Sequence, residues 1–167
     1  MKTLSFRLIQ QGSVLILTLL LMVMLTIIAV TQVNFNSTQT HIATNTADEQ
    51  VAFQTAEGAL NEGINNLIAG NFPTASFLSN SNGLYYFNQN NAPIWATVDW
   101  TNTSAVILSF QGNSSAQAAY MIEQLPSVII PGQNTSSPTQ VFRITAHGVG
   151  ASGSSPVTLQ STLELQQ

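Results

Sequence analysis

The chain has 167 residues, of which 44% are hydrophobic and only 6% are charged, against about 25% charged residues in an ordinary soluble domain. This length suits a single domain, and so many apolar residues must be buried in a core, a membrane or a polymer, which excludes global disorder. After Lys2 and Arg7, the only Lys or Arg is Arg143. Nucleic-acid binding is therefore excluded, because a duplex binder needs several cations to displace counterions. The low charge also leaves little electrostatic repulsion against self-association.

An uncharged apolar run begins at Ser13 and remains strongly hydrophobic to Val30. About 20 such residues cross the hydrocarbon core of a bilayer, whereas the apolar part of a secretory signal peptide usually has about 7–15. The run therefore predicts a transmembrane helix over 13–35. A signal peptide cleaved near Thr31 is the alternative, although Val30 and Thr31 fit the small residues of such a cleavage site poorly.

Positive charge is distributed unevenly around this run. Lys2 and Arg7 precede it, and no Lys or Arg follows before Arg143. Because the flank with more Lys and Arg usually stays in the cytoplasm, we expect a cytoplasmic N-terminus and the bulk of the chain on the far side of the membrane.

The residues after the run keep a helical rhythm. Five apolar residues are spaced so that they share one face of a helix, and we expect this stripe to pack the helix on a sheet. The stripe consists of Phe53, Ala56, Leu60, Ile64 and Leu67. The preceding segment 34–46 is rich in Asn, Thr and Ser, which predicts weak helix or a local break there.

The composition shifts beyond Gly70 to Asn, Ser, Thr, Gly and Pro, so we expect the boundary between the helix and the globular part near Gly70 to Pro73. Apolar residues in the remainder form short runs or alternate with polar ones, which predicts strands. The predicted strands are 105–110, 119–125, 141–147 and 157–165, with a glycine-rich hairpin connection at 148–156. The simplest architecture is α+β, with a long N-terminal helix packed on an antiparallel β-sheet.

Three segments carry a family resemblance. Gly12 and Ser13 directly precede the apolar run, residues 52–60 read AFQTAEGAL, and residues 142–150 read FRITAHGVG, followed by LQST at 159–162. In this order they resemble segments of type IV pilin-like proteins, and more narrowly of minor pilins of the PilX type. The resemblance covers both ends of the chain, about half of it in total.

The resemblance implies a pilin-like fold in four segments. They are a prepilin leader at 1–12, a transmembrane or filament-core helix half at 13–35, an amphipathic helix half at 36–69 and a β-rich head at 70–167. It also implies that prepilin peptidase cuts between Gly12 and Ser13, and that the new N-terminal residue, Ser13, is methylated.

The resemblance further implies a function that is not enzymatic. A minor pilin takes part in type IV pilus assembly, at initiation or in a tip complex, and in pilus-dependent adhesion or motility. Its implied partners are prepilin peptidase, the inner membrane, and other minor pilins and the major pilin, which it contacts through the apolar helix. The implied location is the inner membrane, single-pass with the head in the periplasm, and then the pilus on the cell surface.

The sequence departs from most pilins at the fifth residue of the mature chain, which is Leu17 where they carry Glu. A buried Glu at that place can pair with the N-terminal amine of a neighbouring subunit, and Leu17 cannot. The K-type minor pseudopilin of type II secretion also lacks this Glu, so a restricted position such as the filament tip is implied. A minor pseudopilin of that system is one alternative function, and a membrane-anchored periplasmic binding domain is another.

The remaining residues give no strong sign of reaction chemistry. The chain lacks Cys, and His41 and His147 are far apart in sequence, so no metal or other cofactor is expected. Glu57 and Glu62 are five residues apart on a helix, which predicts a solvated face instead of an acid–base pair. No nucleophile-elbow, phosphate-loop or zinc-protease motif occurs, so no catalytic residue is assigned.

Two further features each have two interpretations. Four aromatic residues in an Asn-rich segment form a carbohydrate-binding face or, as the favoured interpretation, pack on the sheet edge and loops. They are Tyr85, Tyr86, Trp95 and Trp100. Arg143 pairs with a neighbouring pilin or, as we expect, with an acid on an adjacent strand such as Glu164.

Overall fold

The computed structural model describes residues 13–109, 117–132, 137–153 and 155–166. The chain divides after Thr44 into two compact units. The described part of the first unit is helical, and the second unit contains the rest of that helix together with the sheet. The elements in chain order are α1 (Ser13–Ile68), α2 (Thr74–Phe77), β1 (Leu84–Tyr86), α3 (Ile94–Thr97), β2 (Ile107–Ser109), β3 (Gln117–Val128), β4 (Thr139–Val149) and β5 (Pro156–Leu165).

Helix α1 continues through 34–46 without the break that the composition of this segment allows. Threonine hydroxyls donate to backbone carbonyl oxygens four residues earlier, at 3.1 Å for Thr38 and 2.9 Å for Thr40. The hydroxyls thus find partners inside the helix. The helix ends at Ile68, and Gly70 follows with a φ of 73°, the left-handed conformation that suits glycine after a helix.

Strand β3 lies at the centre of the sheet. One edge pairs antiparallel with β4, which in turn pairs antiparallel with β5. The other edge is shared, because β2 pairs antiparallel with 118–120 and β1 pairs parallel with 122–124. The predicted α+β class with a long N-terminal helix is confirmed, and the parallel β1 is the one departure from an antiparallel sheet among the described strands. Residues 87–116 separate β1 from β3, and a parallel crossover needs only about a dozen residues.

The predicted strands occur in the expected order with different ends. The first of them begins at Ile107 instead of residue 105, and its last residue, Phe110, lies outside the described residues. Strands β3 and β4 are longer than predicted at both ends. The hairpin connection is shorter than 148–156, because Gly148 and Val149 still pair with β5.

Small residues bring α1 close to the sheet. The buried residues of the helix are Ala52, Ala56, Ala59, Gly63 and Leu67. A Cβ atom added to Gly148 of β4 would lie 2.3 Å from the Ala52 carbonyl oxygen and 2.5 Å from the Ala56 amide nitrogen. The backbones of helix and strand therefore touch at this point, which only glycine permits.

The buried face of α1 is rotated from the predicted stripe by about 60°, at 100° per residue. Ala56 and Leu67 belong to both the predicted stripe and the buried face, whereas Leu60 and Ile64 are only partly buried against the core. Phe53 is 47% exposed, so its predicted place in the packed stripe is wrong. The apolar spacing selects the largest side chains, but a helix in backbone contact with a strand must turn its smallest side chains inward.

We predict that Gly148→Ala lowers the free energy of unfolding by about 1–3 kcal/mol, because the added methyl group meets backbone atoms that cannot rotate away. Urea unfolding of the full chain in detergent micelles, followed by circular dichroism, measures this change. Thr162→Ala, at an exposed position of β5, is the matched control and should behave like the parent. An unchanged midpoint for Gly148→Ala would contradict the contact.

Candidate assembly surfaces

The apolar half of α1 presents hydrophobic side chains to its surroundings all around the helix. The exposed large apolar side chains between Val14 and Phe35 are each at least 49% accessible to solvent, and Leu17 is 62% accessible. Within the described chain, α1 is the one helix long and apolar enough to cross a membrane. Exposed apolar surface of this extent is unfavourable in water, so lipid or other apolar helices must cover it.

The predicted processing site lies at the edge of the described structure. Ser13 is the first residue of α1, and Gly12 lies outside the described residues, as does the rest of the predicted leader. Leu17 follows Ser13 by four positions, so the two residues lie on the same side of the helix one turn apart.

Asp48 connects α1 to the β4–β5 hairpin. Its Oδ1 accepts a hydrogen bond from the Ser152 backbone amide at 2.9 Å, and its Oδ2 accepts one from the Ser152 hydroxyl at 2.5 Å. These bonds, the side-chain one first, hold the pKa of Asp48 below its usual range. A Cβ atom at Gly150 would lie 2.5 Å from the Asp48 carboxyl group, so this position also requires glycine. The contact fixes the hairpin against the helix, and the sequence alone gave no sign of it.

Arg143 forms an ion pair with Glu123 across β3 and β4. Nη2 and Nε of the guanidinium both lie 2.8 Å from Glu123 Oε2, and Glu123 is 1% exposed. The expected cross-strand pairing occurs, but the suggested partner, Glu164, is wrong. Glu164 lies opposite Val141 in the sheet register, whereas Arg143 lies directly opposite Glu123. The Phe87 ring, 5.8 Å from the guanidinium carbon, also contacts the pair.

We predict that Arg143→Met destabilises the head by about 3–5 kcal/mol, because it leaves the buried Glu123 carboxylate without its cation. Replacing both residues, as Glu123→Leu with Arg143→Leu, should recover most of that loss, since no buried charge then remains. Denaturant titrations of the three proteins give the comparison. Glu164→Gln is the control, and a loss in Glu164→Gln as large as that in Arg143→Met would contradict the assigned partner.

The four aromatic residues proposed for a carbohydrate face do not share one face. Tyr85 and Tyr86 are neighbours in β1 and point to opposite sides of the sheet. Tyr85 is buried and donates its hydroxyl to the Ala105 carbonyl oxygen at 2.7 Å, while Tyr86 is exposed. Trp100 stacks on His147 at 4.8 Å between ring centroids, and Trp95 is partly buried. These contacts agree with the packing interpretation for Tyr85 and Trp100.

The two histidines occupy different environments. His41 is exposed on α1, whereas His147 is partly buried, stacks on Trp100 and lies with its Nδ1 atom 3.1 Å from the Thr158 hydroxyl. Burial lowers the pKa of His147, because it disfavours the charged imidazolium. In the part of the chain that the structure describes, no group of three His, Cys, Asp or Glu residues is placed to hold a metal ion.

We predict that His147 makes the head less stable in mild acid. Its pKa is lower in the folded chain than the value of about 6.5 expected when unfolded, so the unfolded chain binds more protons as the pH falls below 6.5. Stability should be retained above that pH and decline below it. Unfolding midpoints between pH 7.5 and 5 test this, with a smaller decline expected for His147→Gln and an unchanged decline for His41→Gln. Equal slopes in all three proteins would contradict the assignment.

A cleft of about 520 Å³ lies beside the C-terminal end of α1. Its lining residues are Glu62, Asn66, Asn71, Phe72, Ile107, Leu108 and Tyr120. Glu62 Oε2 accepts a hydrogen bond from the Ser109 hydroxyl at the end of β2. Glu62 is therefore partly buried and engaged by the sheet, which corrects the prediction of a solvated face for this residue. The pairing joins residues 47 positions apart, and no local pattern indicates it.

A second cleft, of about 400 Å³, lies beside Phe53 and includes Val157 of β5. Phe53 and Glu62 are nine residues apart, which is two and a half helical turns, so they lie on opposite sides of α1. The buried face of the helix lies between them. The two clefts therefore flank the contact between helix and sheet.

Comparison with known protein families gives two adjacent matches. Residues 74–164 match the family described as Type IV pilus assembly protein PilX C-term, and residues 11–61 match the family described as PilX N-terminal. The second match includes Gly12, Ser13 and the whole apolar stretch, and the first covers most of the sheet. No curated protein and no solved structure matches the chain.

Proposed function

We propose that this chain, which belongs to the PilX family of type IV pilus assembly proteins, is a minor pilin that acts at the initiation of assembly or in the tip complex. Family membership establishes involvement in type IV pilus assembly. The proposal adds the subunit's role, together with a contribution to pilus-dependent adhesion or motility. It also assigns the chain no catalytic reaction.

The apolar half of α1 is the observation that carries this proposal. Its exposed side chains suit a bilayer before assembly and a bundle of similar helices afterwards, so the same surface serves both environments. We propose that prepilin peptidase removes residues 1–12 and that Ser13 becomes the methylated N-terminus. Cleavage removes Lys2 and Arg7, whose charges would oppose extraction of the helix from the membrane.

Leu17 supports a restricted place in the filament. A subunit inside the shaft has neighbours on both sides along the filament axis, and a Glu at this position would neutralise the N-terminal amine of one of them. Leu17 leaves such an amine without a counter-charge in apolar surroundings. A terminal position limits the number of such contacts, and this favours the tip.

The proposed location and partners follow from the same helix. The precursor spans the inner membrane once, with its N-terminus in the cytoplasm and its head in the periplasm, and the processed chain then joins the pilus at the cell surface. Its partners are prepilin peptidase, other minor pilins and the major pilin. The structurally similar role in type II secretion is the alternative that the experiment below separates from this one.

We predict that the protein isolated from membranes has lost residues 1–12 and carries one methyl group on Ser13. Intact-mass measurement and N-terminal sequencing check this, in cells with and without prepilin peptidase. The variant Gly12→Val should remain uncut, because the proposed cleavage follows this glycine, while Gln10→Ala serves as the control within the leader. A cut near Thr31, or an uncut chain in peptidase-containing cells, would overturn the proposal.

Deletion of the gene distinguishes a role in the type IV pilus from a role in type II secretion. We expect loss or strong reduction of surface pili, with normal secretion of type II substrates. Loss of secretion with normal piliation would favour the pseudopilin role instead.

A further inference from the structure

We infer that the cleft beside Glu62 receives an arginine side chain from a different protein subunit. This inference rests on the proposed function, because it identifies the chemistry by which a minor pilin of this sequence recognises a neighbour. Three observations support it: the arrangement of polar groups in the cleft, the distribution of charge in the chain, and the apolar character of the remaining walls.

The cleft contains a chain of hydrogen-bonded neutral side chains and, separately, one charged residue, Glu62. Asn71 donates its side-chain amide to Asn66 Oδ1 at 2.9 Å, and Asn66 donates to the Tyr120 hydroxyl at 3.0 Å. These two bonds link Asn71, Asn66 and Tyr120 in a chain. Glu62 Oε2 accepts from Ser109, and no donor in the described chain contacts Oε1 of the same carboxylate. The cleft thus offers one carboxylate oxygen to a cationic donor from outside.

The processed chain has no free Lys or Arg to fill this place, and its N-terminal amine belongs to the apolar half of α1. Residues 13–167 contain seven acids and the single base Arg143, a formal net charge of 1 − 7 = −6. That base is held by Glu123 on β3 and β4. Lys2 and Arg7 precede the apolar stretch and are removed with the leader in the proposed processing. A second copy of the chain therefore has no free Lys or Arg to offer, and charge complementarity requires a different protein.

The walls of the cleft favour arginine over lysine. Phe72, Ile107 and Leu108 supply apolar surface, and the buried Tyr120 also lines the cleft. A guanidinium is planar and weakly hydrated, so it stacks on aromatic and apolar surfaces while its N–H groups reach a carboxylate. An ammonium group is strongly hydrated and loses more on entering such a site. The aliphatic part of the arginine side chain would cover the apolar wall.

The test uses a single side chain as the probe, N-acetyl-arginine methylamide, added to the ¹⁵N-labelled full chain in detergent micelles. Saturable shifts of the side-chain amide signals of Asn66 and Asn71 report binding in the cleft. The matched probe is N-acetyl-citrulline methylamide, which has the same shape without the positive charge. We expect arginine to bind about tenfold or more tightly than citrulline, because the bond to the carboxylate is charge-assisted. The corresponding lysine probe should fall between them.

Two variants assign the binding to Glu62. Glu62→Gln keeps an acceptor for Ser109 and therefore the fold, and it should reduce arginine affinity by about tenfold or more. Glu57→Gln removes the same charge from an exposed position outside the cleft and should bind arginine like the parent. Unfolding midpoints check that both variants are folded. Equal arginine and citrulline affinities, or an equal response in both variants, would overturn the inference.

This experiment involves neither leader cleavage nor piliation, so its failure is distinct from failure of the proposed function. If arginine does not bind while processing and pilus assembly require the chain as expected, the protein remains a minor pilin and only the recognition chemistry is wrong. If arginine binds but the leader is not removed, the cleft is a basic-side-chain site in a protein of another role.

Discussion

The backbone contact between α1 and Gly148 is the constraint on which the rest of the head depends. Because the helix touches β4 through Ala52 and Ala56, its smallest side chains are fixed inward and its larger ones are turned to the flanks. This orientation places Phe53 on the side of β5 and Glu62 on the side of β2. Asp48 reinforces the contact through the hairpin, where Gly150 leaves room for its carboxylate. Both candidate clefts are consequences of how closely the helix lies on the sheet.

Charged residues are so few in this chain that the partner of each one can be considered separately. Arg143, the single Lys or Arg after the leader, is paired with Glu123, whose burial makes it too costly to leave unpaired. The pair therefore contributes to the architecture of the head and is not available to a neighbour. The other acids must be solvated, bonded to neutral donors as Asp48 and Glu62 are, or neutralised by another protein. In an ion pair with another protein, this chain can therefore supply the carboxylate, and the other protein must supply the Lys or Arg.

The parts of the fold that depend on local patterns could be predicted from the sequence. The apolar run, the approximate boundary of the helix near Gly70 and the chain order of the four predicted strands follow from periodicity and turn chemistry. The side of α1 that is buried could not be predicted from the spacing of large apolar residues, because the close approach selects alanine and glycine. Gly148 inside an otherwise regular strand was the available signal, since glycine in a strand often marks close backbone approach. The pairings of Glu62 with Ser109 and of Arg143 with Glu123 depend on sheet register, which a single sequence does not determine.

The absence of an acid at position 17 and the excess of acids in the head both disfavour contacts between identical copies of this chain. In a filament of identical subunits, the same contact recurs at every interface. Both sides of each contact must then come from groups that this one chain carries. This chain has no Glu near its start to accept a neighbour's amine, and its head has no free Lys or Arg to meet its own carboxylates. If copies of this chain were repeated along a filament, each interface between them would therefore add unpaired charges. The proposed tip position avoids this repetition, because there a single copy lies beside other proteins that can supply the complementary groups.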